Sequence, residues 1–214
     1  TVATMSQIFN FLFEQYSSYA VLDIILELTA VCFGFASVWY SKQNNILVFP
    51  TGLISTSIFV YLLFKWQLLG DTMINGYYFI MSLYGWYVWT RKVDDKNVTP
   101  ISRTTKSEQI ICVFIFVLTL VLVYEVYQFF NMWTHWVAYV DTLTTALFFV
   151  GMWLMAKRKI ENWYFWIVAD IISVPLYFYK GLTFSSIQYF GFTILAIFGF
   201  LAWKKNLNNS SQTV

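Results

Sequence analysis

The chain has 214 residues, 59% of them hydrophobic and 22% aromatic, and only 11% are charged, against about 25% in soluble domains. That is too little charge to clothe a soluble domain of this length and too much apolar surface for disorder, which leaves an integral membrane protein. The net charge of +2 is uninformative, but the placement of the charges is not.

Residues 1–20 contain SQIFNFLFEQYSSY (6–19), too polar to span and suited to the interface as an amphipathic helix. Seven apolar segments follow: Val21–Tyr40, Ile46–Phe64, Thr72–Trp89, Ile110–Phe130, Trp136–Met155, Trp163–Tyr179 and Leu182–Trp203. Each has 17 to 22 residues, near the ~20 that cross ~30 Å of hydrocarbon as a helix. Lipid cannot satisfy open backbone groups, so the segments must be helical. The one long connection is Arg91–Ser107, and the tail over 205–214, closing on NLNNSSQTV, is expected to be disordered. Pro50 and Pro175 fall inside the second and sixth segments, where proline can act as a hinge.

Lys and Arg set the orientation. The loops after segments 2, 4 and 6 hold two, Lys65 and Lys180, while the opposite side holds eleven. The N-terminus is therefore expected outside and the C-terminus in the cytoplasm.

An internal repeat is visible. Glu27 and Trp39 recur as Asp141 and Trp153, and Gly85 and Trp89 as Gly199 and Trp203, both at an offset of 114; Asn45 pairs with Asn162 at 117. The expected architecture is all-α, with two parallel triple-helix repeats over 21–90 and 132–204. A loop and linker helix, 91–131, join them, because a tandem copy of three helices inserts upside down unless one more helix intervenes.

No Lys or Arg lies inside the segments, whereas Asp23, Glu27, Glu125, Asp141 and Asp170 do. Each such acid is costly in hydrocarbon and needs a reason. All but Asp170 fall toward the outer side, with Asp71 at the start of the third segment, so the outer mouth is acidic. A phosphate or carboxylate ligand would want Arg or Lys; a cation or neutral polar solute fits better. Glu27 and Asp141 also fit a structural, snorkelling role. Segment 6 places Trp163, Trp166, Asp170, Ser173 and Tyr177 on one helical face, and segment 3 does the same with Asp71, Asn75, Tyr78 and Ser82. Gln188 and Tyr189 come from segment 7. Such a wall suits a flat ring bearing hydroxyls or an amide, by stacking, cation–π attraction and hydrogen bonds to its edges.

Enzyme chemistry lacks its parts. One histidine, His135, and two cysteines in apolar runs, Cys32 and Cys112, make no metal set or disulfide framework. Gly-x-Ser-x-Gly and Walker patterns are missing, and segment 7 has no lysine for a retinal Schiff base. No catalytic residue, metal or cofactor is expected.

The stretches NNILVFPTG (44–52), GDTMINGYYFIMSLYGWYVW (70–89), WVAYVDTLTTALFFVGMWLMAKRKIENWYFWIVADIISVPLY (136–177) and GFLAW (199–203) resemble the PnuC family of bacterial nicotinamide riboside transporters, related in architecture to SWEET transporters. Phe49 stands where that family typically has Trp before the proline. The resemblance implies facilitated diffusion of nicotinamide riboside across the inner membrane, trapping by a separate cytoplasmic kinase, and a homotrimer in the lipid bilayer, with no nucleic acid partner. On that footing Trp163 and Trp166 would frame the pyridinium. Asn75 and Gln188 would bond the carboxamide or ribose hydroxyls. Asp170 would accept ribose hydroxyls, with Ser173 beside it, and Tyr78 and Tyr177 would wall the site. Another small cationic or neutral vitamin, a sugar, or a receptor that binds without transport are the alternatives.

Overall fold

The computed structural model describes residues 19–66, 69–91, 99–131, 133, 136–179 and 183–211. The expected interfacial segment up to residue 18, the middle of the long connection and His135 lie outside them. Seven helices are described: α1 (Val21–Lys42), α2 (Val48–Lys65), α3 (Leu69–Thr90), α4 (Lys106–Phe129), α5 (Val137–Ala156), α6 (Asn162–Tyr179) and α7 (Thr183–Ser211). Each covers one apolar segment. Five of them, α1, α2, α4, α5 and most of α7, are long and apolar enough to cross a membrane. The other two, α3 and α6, are diluted by the Tyr, Trp and polar residues of the two stripes.

Sequential helices pack as α1 on α2, α2 on α3, α5 on α6 and α6 on α7. The ring closes through α3 against α5 and α7 against α1, and α4 packs outside it on α5. Leu, Ile, Val and Phe side chains on the outer faces are widely exposed, as at Ile110, Phe114, Ile187 and Phe190, the pattern of helices that face lipid rather than water.

The buried core sits at one end of the ring, where α1, α3 and α5 finish and α7 passes Trp203. Trp89 Nε1 donates to Met155 O at 3.3 Å and Trp203 Nε1 to Ser41 O at 2.8 Å. Phe49 meets Trp89 edge-on at 5.0 Å, Trp163 meets Trp203 edge-on at 5.5 Å, and the two indoles of Trp89 and Trp203 lie 6.1 Å apart. Edge-to-face rings at such distances are favourable beyond their burial.

The chain between α3 and α4 crosses this end. Thr99 Oγ1 donates to Val88 O at 2.9 Å, and the Arg158 guanidinium donates to Thr99 O at 2.5 Å. Ser102 N donates to Arg158 O at 3.1 Å and Ile160 N to Ser102 O at 3.0 Å. Lys159 pairs with Glu108 at 2.9 Å. Burial pushes the Arg158 guanidinium down to about 10, below its usual range. Thr105 opens α4 with a reciprocal cap: its side chain accepts from Glu108 N, and Thr105 N donates to Glu108 Oε2. Thr105→Ala is expected to cost about 1 kcal/mol, read as a lower thermal midpoint in detergent with ligand binding unchanged.

Two expectations need correction. The tail over 205–214 is not disordered throughout, because α7 runs on as helix to Ser211. Leu207 lies one turn beyond Trp203 and packs against the same core, which holds the extra turns in register. Pro50 is no mid-helix hinge: α2 starts at Val48, so Pro50 falls in the first turn, where no intrahelical N–H is lost. Pro175 is inside α6.

Candidate functional site

The ring encloses a cavity of about 640 Å³. It reaches from Tyr19, Trp66, Asp71 and Asp141 at one end to Ser41, Met155 and Trp163 near the buried indoles at the other. The four-ring core of Phe49, Trp89, Trp163 and Trp203 therefore stands between the cavity and the basic end of the bundle.

The stripe on α6 delivers most of what its spacing promises. Trp166, Asp170 and Tyr177 line the cavity. Asp170 is 2% exposed and its Oδ1 has no hydrogen-bond partner, which is costly for a buried carboxylate unless a ligand supplies the bond. Trp166 faces Phe148 at 5.5 Å and Tyr78 at 5.9 Å, so three rings surround one stretch of the cavity. Tyr177 lies 4.8 Å from Tyr189, and its hydroxyl reaches Asp71 Oδ1 at 3.5 Å. Tyr189 stacks in turn against Phe148 at 5.8 Å.

Two members of that stripe sit differently. Ser173 is fully buried with its Oγ unpartnered, but it is not on the cavity wall; a face three to four residues wide is broader than the opening it borders. Trp163 touches only the deep end of the cavity and is 2% exposed. Its ring is spent on Trp203 and on the bare backbone of Gly199, with Nε1 left unpartnered. It closes the floor instead of offering a free face for stacking.

From α3, Asn75, Tyr78 and Ser82 line the wall, and Asn75 Nδ2 donates to Asp71 O at 3.0 Å. Gln188 joins from α7. Sequence reasoning missed the contribution of α1 and α2, where Gly34, Ser37, Gly52 and Ser55 make a small-residue wall, and the edge of α4, where Val126 and Tyr127 reach in. The run of small residues at spacings of three and four on α1 (Gly34, Ser37, Ser41) was the available signal. Among the described residues, the cavity wall carries Glu27, Asp71, Asp141 and Asp170 and no Lys or Arg. The candidate site thus holds rings, amides, hydroxyls and carboxylates, and the described residues include no group of three or more His, Cys, Asp and Glu side chains that could hold a metal ion.

Comparisons with known proteins bear on the family and the fold. The family model described as nicotinamide mononucleotide transporter matches residues 24–205. The nicotinamide riboside transporter PnuC of Escherichia coli (strain K12) is 24% identical over 201 residues, covering 81% of this chain and 80% of that protein. The riboflavin/roseoflavin transporter RibM of Streptomyces davaonensis is 26% identical over 210 residues, covering 95% and 92%. A crystal structure of the vitamin B3 transporter PnuC superposes with a TM-score of 0.67 at 21% identity, over 98% of this chain and 93% of that one; the fold is shared.

Proposed function

This chain belongs to the nicotinamide mononucleotide transporter family, the PnuC-type membrane vitamin transporters, and from that premise we propose that it carries nicotinamide riboside into the cell by facilitated diffusion. The family is one of transporters rather than enzymes. The observation that carries the choice of substrate is the cavity wall: rings and four acids, with no Lys or Arg among the described residues. Nicotinamide riboside has a cationic pyridinium, ribose hydroxyls and no phosphate. Rings attract the cation through their faces, and carboxylates accept the hydroxyls. A mononucleotide would set its phosphate against acids in a poorly solvated cavity, which is unfavourable.

The site reading is that Trp166, Tyr78 and Phe148 frame the pyridinium, Asn75 and Gln188 bond the carboxamide or hydroxyls, and Asp170 accepts from the ribose, with Tyr177 as wall. Seven spanning helices, an N-terminus outside and a C-terminus in the cytoplasm are supported by the eleven-to-two division of Lys and Arg. Trapping is left to a separate cytoplasmic kinase. A homotrimer is the assembly, with α4 on the outside of the ring available for contact.

Two parallel triple-helix repeats that rock about the site supply alternating access. The duplication is supported by hydrogen bonds that recur at a shift of 114. Asn44 N to Ser41 O and Arg158 N to Met155 O are both 2.9 Å, as are Asn45 N to Tyr40 O and Lys159 N to Leu154 O. The same shift exchanges Trp89 on Met155 O for Trp203 on Ser41 O. It sets Asn45 opposite Lys159, so the pairing of Asn45 with Asn162 at 117 is dropped as three residues out of register.

Uptake of labelled nicotinamide riboside into proteoliposomes is the test. The expected result is saturable flux, unaffected by a pH gradient, competed by unlabelled riboside and at least tenfold less well by the mononucleotide. Riboflavin is the second reading, favoured by the relative RibM and by a cavity with room for a larger ring system. Competition by riboflavin stronger than by the riboside itself would move the assignment to flavins.

A further inference from the structure

We infer that the two seams between the triple-helix halves are unequal: the α3–α5 seam is stapled and acts as the hinge, and the α1–α7 seam is the one that parts when the path opens toward the basic end. This rests on the transporter and repeat readings above.

The α3–α5 seam is tied at three levels. Midway along, the Tyr77 ring stacks on Phe149 at 3.8 Å with 9° between planes, and its hydroxyl donates to Phe149 O at 3.0 Å. At the basic end Trp89 donates to Met155 O, and the Arg158 guanidinium lies 4.0 Å over the Trp89 ring. Across the outside, the chain from Thr99 to Glu108 binds both the end of α3, through Val88 O, and the α5–α6 turn, through Arg158, Lys159 and Ile160. Arg158 holds a left-handed backbone, φ 55°, which is costly for a long side chain and persists only where contacts over-determine it.

The same level of the α1–α7 seam is held by ring packing instead, with Phe35 4.8 Å from Phe192. Shifted by 114, Phe149 becomes Phe35 and Tyr77 becomes Gly191, whose backbone lies directly against the Phe35 ring. A helix presenting glycine to a ring gains close approach and keeps no polar tie there. Arg158 becomes Asn44, with φ 56°, a residue that tolerates the left-handed region without needing outside contacts. Beyond Trp203 the chain continues as helix to Ser211, instead of folding back across the α1–α2 turn. Trp203 still donates to Ser41 O, Lys42 stands 5.5 Å over Phe198 and Leu207 docks on the buried core; these contacts can break without displacing a second loop. A rocking motion takes the seam with fewer polar ties and no strap, because parting the other seam breaks stack, indole bond and strap together.

The test uses symmetric cysteine pairs in a Cys32→Ser, Cys112→Ser background: Gln43→Cys with Lys204→Cys across α1–α7, and Lys157→Cys with Thr90→Cys across α3–α5. Each pair is linked with a short bismaleimide, and riboside flux is measured in proteoliposomes. The expected result is a more than tenfold loss for the α1–α7 link and less than twofold for the α3–α5 link. Equal loss for both links, loss only across α3–α5, or no loss for either overturns the inference. Absence of flux in the unlinked pairs would instead sink the transport reading. The same pairs therefore also carry nitroxide labels, diluted with unlabelled protein, for distance measurement without transport. A broad or double-peaked distribution across α1–α7 beside a single narrow one across α3–α5 supports the inference; equal widths, or the reverse order, overturn it.

Discussion

Asp170→Asn is expected to weaken riboside binding by roughly tenfold to a hundredfold while the fold melts no earlier than the parent. The carboxylate is 2% exposed on a mid-helix position of α6, with Oδ1 unpartnered, and a buried acid in that state lowers stability. An amide has the same shape and a smaller desolvation penalty, so the variant holds or raises its thermal midpoint. A hydrogen bond from a ligand hydroxyl to a charged acceptor is worth about 1.5–3 kcal/mol, or roughly one to two decades in Kd. Trp166→Ala removes one of three rings around the same stretch of cavity and should cost about 1–2 kcal/mol, the range for a partly desolvated cation–π contact. Calorimetric titration with nicotinamide riboside reads both. If Asp170→Asn binds as the parent does, its buried carboxylate has a structural role and the site assignment falls; if it binds weakly and also melts early, the loss is one of folding.

The membrane class, the helix positions and the polar faces of α3 and α6 were legible because they depend on local quantities. Twenty apolar residues span a bilayer whatever they touch, and Trp166, Asp170 and Tyr177 share a face by helical period alone. Which part of a face borders the cavity depends on how neighbours cross, and that is not local. Ser173 shares the stripe yet lies behind the wall, and Trp163 turns its ring to the floor because Gly199 opposite leaves a gap of ring size. The wall made by Gly34, Ser37 and Ser55 was missed for the converse reason. Small residues carry no chemical signal of their own, and their value lies in bringing backbone close to a ligand. Composition misjudged the end of α7, since NLNNSS is a poor helix former on its own and is kept helical by Leu207 docking on the core.

That gap at Gly199 yields the largest expected effect on stability. A methyl group built there would overlap Trp163 Cη2 and lie 2.6 Å from Cζ2 and Cζ3, well inside contact distance for carbon. The indole cannot withdraw, since it is 2% exposed and braced edge-on against Trp203 at 5.5 Å. Gly199→Ala must therefore part α6 from α7, at a cost of about 1–3 kcal/mol or more for overpacking a tight core. The floor between cavity and basic end loosens with it. Gly85, packed against Phe49 with Cζ 2.7 Å from the same built position, should behave alike. Gly76 is the control: nothing lies within 4 Å of a methyl group there, and Gly→Ala inside an unstrained helix stabilises by about 0.4–1 kcal/mol. Thermal midpoints in detergent should order Gly76→Ala at or above the parent and Gly199→Ala and Gly85→Ala well below it. Adding Trp163→Leu to Gly199→Ala vacates the overlapped space, so the double variant should be more stable than the sum of its single effects requires. Strict additivity would mean that the indole does not rest on Gly199, and the closed floor built on that contact would have to be abandoned.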